Sequence, residues 1–417
     1  MLTYLKKPIA LLSAIIMLSS TLTACNRDED EVEELEIPVT ITSTETGLPS
    51  NHEEIMSMIQ EIQDRDGTGV IQVMSEYNVN YTDRYAYNQL TDAEKELYAD
   101  ILNAANSLAI TVEIDDTVTT EMWMRVYGCV CMQEPELFWL SSAKASIGQM
   151  YYWVVDQDII AERQAEIDNT VSDILSAVDG KTEYETLKYF HDYIVLNNTF
   201  SYVDAITEGA EKQTIYGGLV TGSVQCEGYA KTMMYLCDMA GIESVIVPGT
   251  SETGTSHAWN CVKIGDDWYN LDTTWDDPIL ADTDETHLRY NYFLVPDEWI
   301  HNLSHFNICR KTEGTQLTYF TPPACVSDEY NYFNVENLLF DDIDSAETAL
   351  QTAMTNAVDN KTRVAEIRVS SRELYNAMYA KLSEYADWIK AYDSSVTKVT
   401  SNCDENLLII ELGIFYE

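Results

Sequence analysis

Residues 215–249 read IYGGLVTGSVQCEGYAKTMMYLCDMAGIESVIVPG, and residues 256–278 read SHAWNCVKIGDDWYNLDTTWDDP. In the first stretch Gly217, Gly218 and Gly222 make a permissive loop that ends at Cys226. Beyond it Tyr229, Met233, Leu236 and Ala240 recur every three or four residues, and Gly241 follows. That is the pattern of a helix with a glycine terminator. Cys226 is thereby placed at a helix N-terminus, where the partial positive charge of the peptide dipoles favours an anion. Such a placement suits a nucleophilic thiol.

The second stretch reads as a β-hairpin. One strand is HAWNCVKI, the turn is Gly265-Asp266, and the return strand opens at Asp267 or Trp268. A two-residue turn sets Ile264 opposite Asp267, and the register carried back sets His257 opposite Thr274 and Trp259 opposite Asp272. Side chains alternate with period two, so His257 and Asp272 share a sheet face as diagonal neighbours. A turn of odd length would put Asp272 on the other face. On a shared face, Asp272 holds the imidazole of His257 in one tautomer while the other ring nitrogen reaches the thiol.

Cys226 in V-Q-C-E-G-Y-A, His257 in S-H-A-W-N and Asp272 in W-Y-N-L-D-T-T-W-D-D-P together resemble the transglutaminase-like superfamily. The likeness is nearest to its bacterial members and the kyphoscoliosis peptidase or cytokinesis-protein type, and it covers roughly residues 185–300. The resemblance implies an α+β, papain-like core: a helix led by the Cys, and an antiparallel sheet bearing the His and the Asp. It implies Cys226 as nucleophile, His257 as general base and acid, and Asp272 as the orienting residue. Gln225 is similar to the Gln of the G-Q-C in eukaryotic cross-linking transglutaminases, yet Glu227 stands where they have Trp. Those enzymes also use calcium, and no such loop is found. Asp64-Arg65-Asp66-Gly67 would need Ile62 and Val73 as calcium ligands. Hydrolysis of a peptide or amide bond by a cysteine peptidase is therefore expected ahead of acyl transfer to lysine. A third reading is a catalytically silent cell-surface module of the same fold. The backbone N–H of Cys226 is the expected oxyanion donor, with Tyr216 and Gln225 as candidates for a second. Trp259 beside His257 is expected to shield it from water, and Cys237 and Cys261 to be core.

Outward from this segment, the N-terminus reads as an address. Lys6 and Lys7 precede the apolar run Ile9 to Leu18, which is a signal-peptide length and too short to span a bilayer. Leu22-Thr23-Ala24-Cys25 resembles the lipobox of bacterial lipoproteins, which implies cleavage after residue 24 and lipidation of Cys25. The expected localisation is the outer face of a bacterial cell membrane, held by the acyl chains on Cys25. Residues 25–50 are an acidic tether. Residues 51–180 read as a mainly helical domain: a helix over Glu53 to Gln63, a T-x-x-E capping box at Thr91 and Glu94, and a helix through Met122, Val126 and Cys129 stopped by Pro135. A strand from Met150 to Val155 and a helix from Ile160 to Val178 follow. Residues 181–320 form the expected catalytic domain, opened by a second box at Thr182 and Glu185 with His191 on the buried face of its helix.

His301, His305 and Cys309 recur at four-residue intervals, which would align them on a helix. No further ligand at zinc spacing, no C-x-x-C and no H-E-x-x-H accompanies them, so no metal and no cofactor is expected. Asp276 and Asp277 are expected to end a strand and face solvent. Residues 325–417 read as a small α/β accessory domain: strand Tyr332 to Phe340, helix Ser345 to Val358, strand Arg363 to Val369, helix Glu373 to Ala391, and a hairpin from Val396 to Tyr416.

Composition closes off other classes. Lys plus Arg number 24 against 70 Asp plus Glu, a formal net charge of −46, which repels phosphate backbones and excludes nucleic-acid partners. The expected partner is a protein or peptide substrate, in the setting of a cell wall. Nine cysteines in 417 residues are too few for a disulfide scaffold. With Cys25 and Cys226 committed elsewhere, an odd number remains, so pairing within the chain is incomplete.

Overall fold

The computed structural model describes residues 79–202, 210–251, 254–277, 288–301, 305–307 and 320–416. The leader, Cys25, the tether, the helix expected over residues 53–63, the turn at residues 64–67 and Cys309 all lie outside the described residues.

Among the described residues, four α-helices come before the first strand. α1 (Asp92–Asn106) starts where Thr91 accepts from the Glu94 N–H and Glu94 accepts in return from the Thr91 N–H at 2.8 Å. Such a cap is worth about 1 kcal/mol. α2 (Thr120–Gln133) ends two residues before Pro135, whose ring cannot continue it. α3 (Gln157–Val178) ends before Gly180, which turns the chain at φ +76°. α4 (Glu183–Asn197) begins with the second capping box, at Thr182 and Glu185. Each buries one apolar stripe, such as Leu97, Tyr98 and Ile101 on α1.

Two short strands, β1 (Thr199–Phe200) and β2 (Ser223–Val224), pair in parallel just before α5 (Cys226–Ala240). An antiparallel sheet of order β5-β4-β3-β6 lies against α5, formed by β3 (Ser244–Ser251), β4 (Ser256–Ile264), β5 (Asp267–Leu271) and β6 (His305–Asn307). Asn260 on β4 ties sheet to helix by donating from its side chain to the Ala230 carbonyl at 2.9 Å. Gly218 brings the loop against α5 so closely that a Cβ there would overlap the Thr232 side chain. The architecture is α+β.

Apolar side chains from Ala86 to Phe333 form one continuous core, joined by Leu407 and Ile409 from near the C-terminus. The expected 180/181 boundary falls in the short turn between α3 and α4, and the core runs across it. A second core fills the C-terminal module. There α6 (Asp297–His301) and α7 (Tyr332–Val335) lead into β7 (Leu339–Phe340), α8 (Ile343–Asn360), β8 (Val364–Val369), α9 (Arg372–Tyr379), α10 (Leu382–Tyr392), β9 (Val396–Ser401) and β10 (Ile409–Tyr416). The four strands form a sheet of order β7-β8-β10-β9.

Four sequence expectations need correction. Met150 to Val155 is no strand: the Met150 N–H donates to Ile110 and the Trp153 N–H to Trp139, so its bonds go singly to two segments. Tyr332 to Phe340 begins as the helix α7, because Asn331 caps the Phe333 N–H and Asn337 then turns the chain at φ +57°. The helix expected over Glu373 to Ala391 breaks at Ala380 and Lys381. His301 and His305 share no helix, since His301 closes α6 while His305 opens β6 and pairs with Ser251 of β3.

Candidate active site

Cys226 is the first residue of α5, and Gln225 before it is extended, at φ −105° and ψ 171°. The turn at Gly265 has φ +58°, which favours glycine, and it closes the β4–β5 hairpin with Ile264 opposite Asp267. Pairing then runs without a bulge to Asn260 opposite Leu271, the register that places His257 and Asp272 on one face. On the other flank of β4 His257 faces Gly249 of β3, which has no side chain to crowd the ring.

His257 Nε2 lies 2.6 Å from Asp272 Oδ2, with both side chains almost fully buried. Asp272 Oδ1 accepts from the backbone N–H groups of Thr274 at 2.9 Å and Trp275 at 3.2 Å. The carboxylate is therefore fixed at both oxygens, and Nε2 is the imidazole nitrogen that carries a proton towards it. Nδ1 is left for the hydrogen-bonding contact with Cys226. Burial disfavours a charged imidazole, yet the charge and hydrogen bond of Asp272, aided by Cys226, push His257 up to about 10. A ring held against a carboxylate and touching a thiol can take the sulfur's proton at its second nitrogen, giving an imidazolium beside a thiolate. Trp259 stacks on the ring at 6.0 Å and Trp275 lies 5.9 Å away, so two indoles flank the imidazole.

The other candidate residues also make hydrogen bonds within the fold. Gln225 accepts from Gln213 Nε2 at 3.0 Å and donates to the Ser201 carbonyl at 3.4 Å. Tyr216 donates to Glu166 on α3 at 2.7 Å and lies under the Arg163 guanidinium. Trp259 donates to Asn270 Oδ1 at 3.0 Å. Cys237 and Cys261 are buried, and Cys325 approaches Cys261 at 3.7 Å between sulfurs.

Asp276 and Asp277 do not face solvent. Both are buried, Asp276 against His191 of α4 and Asp277 against the Tyr229 hydroxyl of α5. Their partners lie 85 and 48 residues away along the chain, beyond the reach of any local pattern. The only signal was His191 on the apolar face of its helix, where a polar ring needs a buried partner.

The sequence model of the transglutaminase-like superfamily matches residues 172–273, a span that takes in all three of Cys226, His257 and Asp272. The chain carries a transglutaminase-like domain. Kyphoscoliosis peptidase of Homo sapiens is 29% identical to the chain over 145 residues, covering 31% of this chain and 21% of that protein. Its counterpart in Mus musculus is 35% identical over 91 residues, covering 18% of this chain and 14% of that protein. A solved TGase structure is 16% identical with a TM-score of 0.25, covering 38% of this chain and 49% of that one. The chain thus spans about a fifth or less of the length of the curated relatives it matches.

Proposed function

We propose that the protein is a thiol enzyme that hydrolyses peptide or amide bonds through a catalytic triad of Cys226, His257 and Asp272. The observation that carries the reading is the His257 imidazole, held 2.6 Å from Asp272 and in contact with a thiol at a helix N-terminus. The Cys226 sulfur, its proton passed to His257 Nδ1, attacks the carbonyl carbon. The backbone N–H of Cys226 supports the charge that develops on oxygen. As the carbon–nitrogen bond breaks, Nδ1 returns the proton to the leaving amine and a thioester remains. Water then gives a proton to His257, attacks the thioester, and releases the acid and the thiol. A lysine amine in place of that water would make the same site an acyl transferase, and incorporation of a labelled primary amine separates the two. The substrate in this reading is a protein or peptide in the setting of a cell wall. The enzyme works outside the membrane on a lipid anchor at Cys25, which metabolic labelling with an alkynyl fatty acid and a Cys25→Ser control will test.

The decisive experiment is iodoacetamide alkylation of residues 26–417 between pH 4 and 9, with site mapping by mass spectrometry. Rapid alkylation of Cys226 well below the ordinary thiol pKa of about 8.5, lost in His257→Ala, is the expected result. Alkylation of Cys226 at the rate of an ordinary thiol would leave a silent binding module as the better reading.

A further inference from the structure

Asp272, Asp276 and Asp277 share one short loop, and each meets a partner on a different element. Asp272 meets His257 of β4, Asp276 meets His191 of α4, and Asp277 accepts from Tyr229 of α5, three residues after Cys226. Asp276 is fully buried. Its Oδ1 accepts from the Tyr292 N–H at 3.0 Å, while the Tyr292 carbonyl accepts from the Asp272 N–H at 3.1 Å. The Asp276 N–H also donates to the Asp272 carbonyl at 3.2 Å. The backbone of one residue, Tyr292, is thus held by Asp276 at its N–H and by the Asp272 N–H at its carbonyl.

Behind Asp276 stands His191, buried between the rings of Tyr290 and Phe293. Its Nε2 lies 3.1 Å from Asp276 Oδ2 and its Nδ1 lies 3.1 Å from Asp192 Oδ1. A neutral imidazole has one N–H and one lone pair, so it would set a lone pair against a carboxylate. With an acceptor at each nitrogen, the ring that fits is the imidazolium. The other titratable groups around the pair are Lys188, 2.9 Å from Asp192, Asp277 on the same loop, and Glu366 of β8. Burial works against charge on His191, but the two carboxylates raise its pKa.

We propose that His191, as an imidazolium, is a positioning residue that acts through Asp276 and the Tyr292 backbone to hold Asp272 against His257. The inference rests on the triad reading and adds a second His–Asp pair behind the first. The first pair moves a proton, whereas the second keeps its proton and fixes the loop. Asp276→Asn keeps an oxygen for the Tyr292 N–H and offers an N–H to a neutral His191, so it preserves the linkage that Asp276→Ala removes.

The test is the pH profile of Cys226 alkylation by iodoacetamide in five proteins: wild type, Asp276→Ala, Asp276→Asn, Asp272→Ala, and Asp272→Ala combined with Asp276→Ala. Near-ultraviolet circular dichroism checks that each is folded. Asp276→Ala is expected to move the acid limb of the profile up by about one pH unit, a tenfold loss of rate at pH 6, with Asp276→Asn restoring most of it. In the Asp272→Ala background Asp276→Ala should add nothing, because residues acting in series are not additive. A folded Asp276→Ala with the wild-type profile would overturn the proposal, as would an equal loss in both backgrounds. Should Asp276→Ala not fold, ¹⁵N spectra of labelled histidine in the wild-type protein decide: protonation of both His191 nitrogens at pH 7 supports it, and a neutral ring overturns it. If wild-type Cys226 alkylates as an ordinary thiol, the triad reading falls first and takes this one with it. A normal wild-type profile with insensitive variants removes the positioning role alone.

Discussion

Two sheets in this molecule bury carboxylates, and they neutralise them in opposite ways. In the loop that follows the central sheet's β5, Asp272 and Asp276 each meet an imidazole, at 2.6 and 3.1 Å. In the C-terminal sheet Glu366 of β8 lies directly opposite Glu411 of β10. Glu411 is taken by Arg289, whose Nε is 2.8 Å from one carboxylate oxygen and whose terminal nitrogen is 2.9 Å from the other. Among the described residues Glu366 has no such cation in contact. Burial and the neighbouring Glu411 charge raise its pKa well above the carboxylate range, which favours its protonated form. An arginine does not release its proton at any pH the protein meets, so the C-terminal arrangement stores charge and transfers none. A histidine touching a thiol can do what the arginine cannot. The lesson lies in the partner: the same buried acid is structural or chemically useful according to whether its neighbour titrates.

The largest way to break this contrast is Cys226→Ser, which leaves the His257–Asp272 pair intact. Under the proposed reaction, turnover of a thioester-forming substrate should fall on the order of 10³-fold or more. Melting temperature should barely change. Asp272→Asn should come next, with a loss on the order of 10²–10⁴-fold, because the amide favours the wrong imidazole tautomer while keeping the shape. If Asp272→Asn retained full activity, the pair would be no more chemical than the Arg289–Glu411 pair.

In the C-terminal sheet the effects should appear in stability. Glu411→Ala strands a largely buried guanidinium and should cost about 3 kcal/mol in urea unfolding. Glu366→Gln should be within about 0.5 kcal/mol of wild type at pH 5. A raised acid holds its proton more tightly in the folded state, so stability falls as pH climbs above about 4.5. Glu366→Gln removes that loss and should stabilise by more than about 1 kcal/mol at pH 9. His257 supplies a second slope. Its stabilising contribution is complete below about 6.5 and is lost as pH rises towards about 10. Unfolding measured across that window should flatten in His257→Gln, and an unchanged slope would mean the imidazole is not held as described.

What could be read from the sequence was set by local rules. The two capping boxes, the helix led by Cys226 and the hairpin register each depend on residues a few positions apart, and each is present in the structure. The readings that failed needed tertiary knowledge. Met150 to Val155 has strand-like composition, but no neighbouring strand runs along it to complete a ladder. Asp276-Asp277 looks like an exposed acidic pair until α4 and α5 fold over it.

The core shared between residues 86 and 333, with Leu407 and Ile409 reaching into it, has a consequence for portability. The family match stops at residue 273, whereas the backbone of Tyr292 that braces Asp272 lies beyond it. Grafting residues 172–273 into another host would carry the thiol, the imidazole and the carboxylate and leave their bracing behind. The stretch the family model covers is smaller than the network of contacts that holds these three side chains in place.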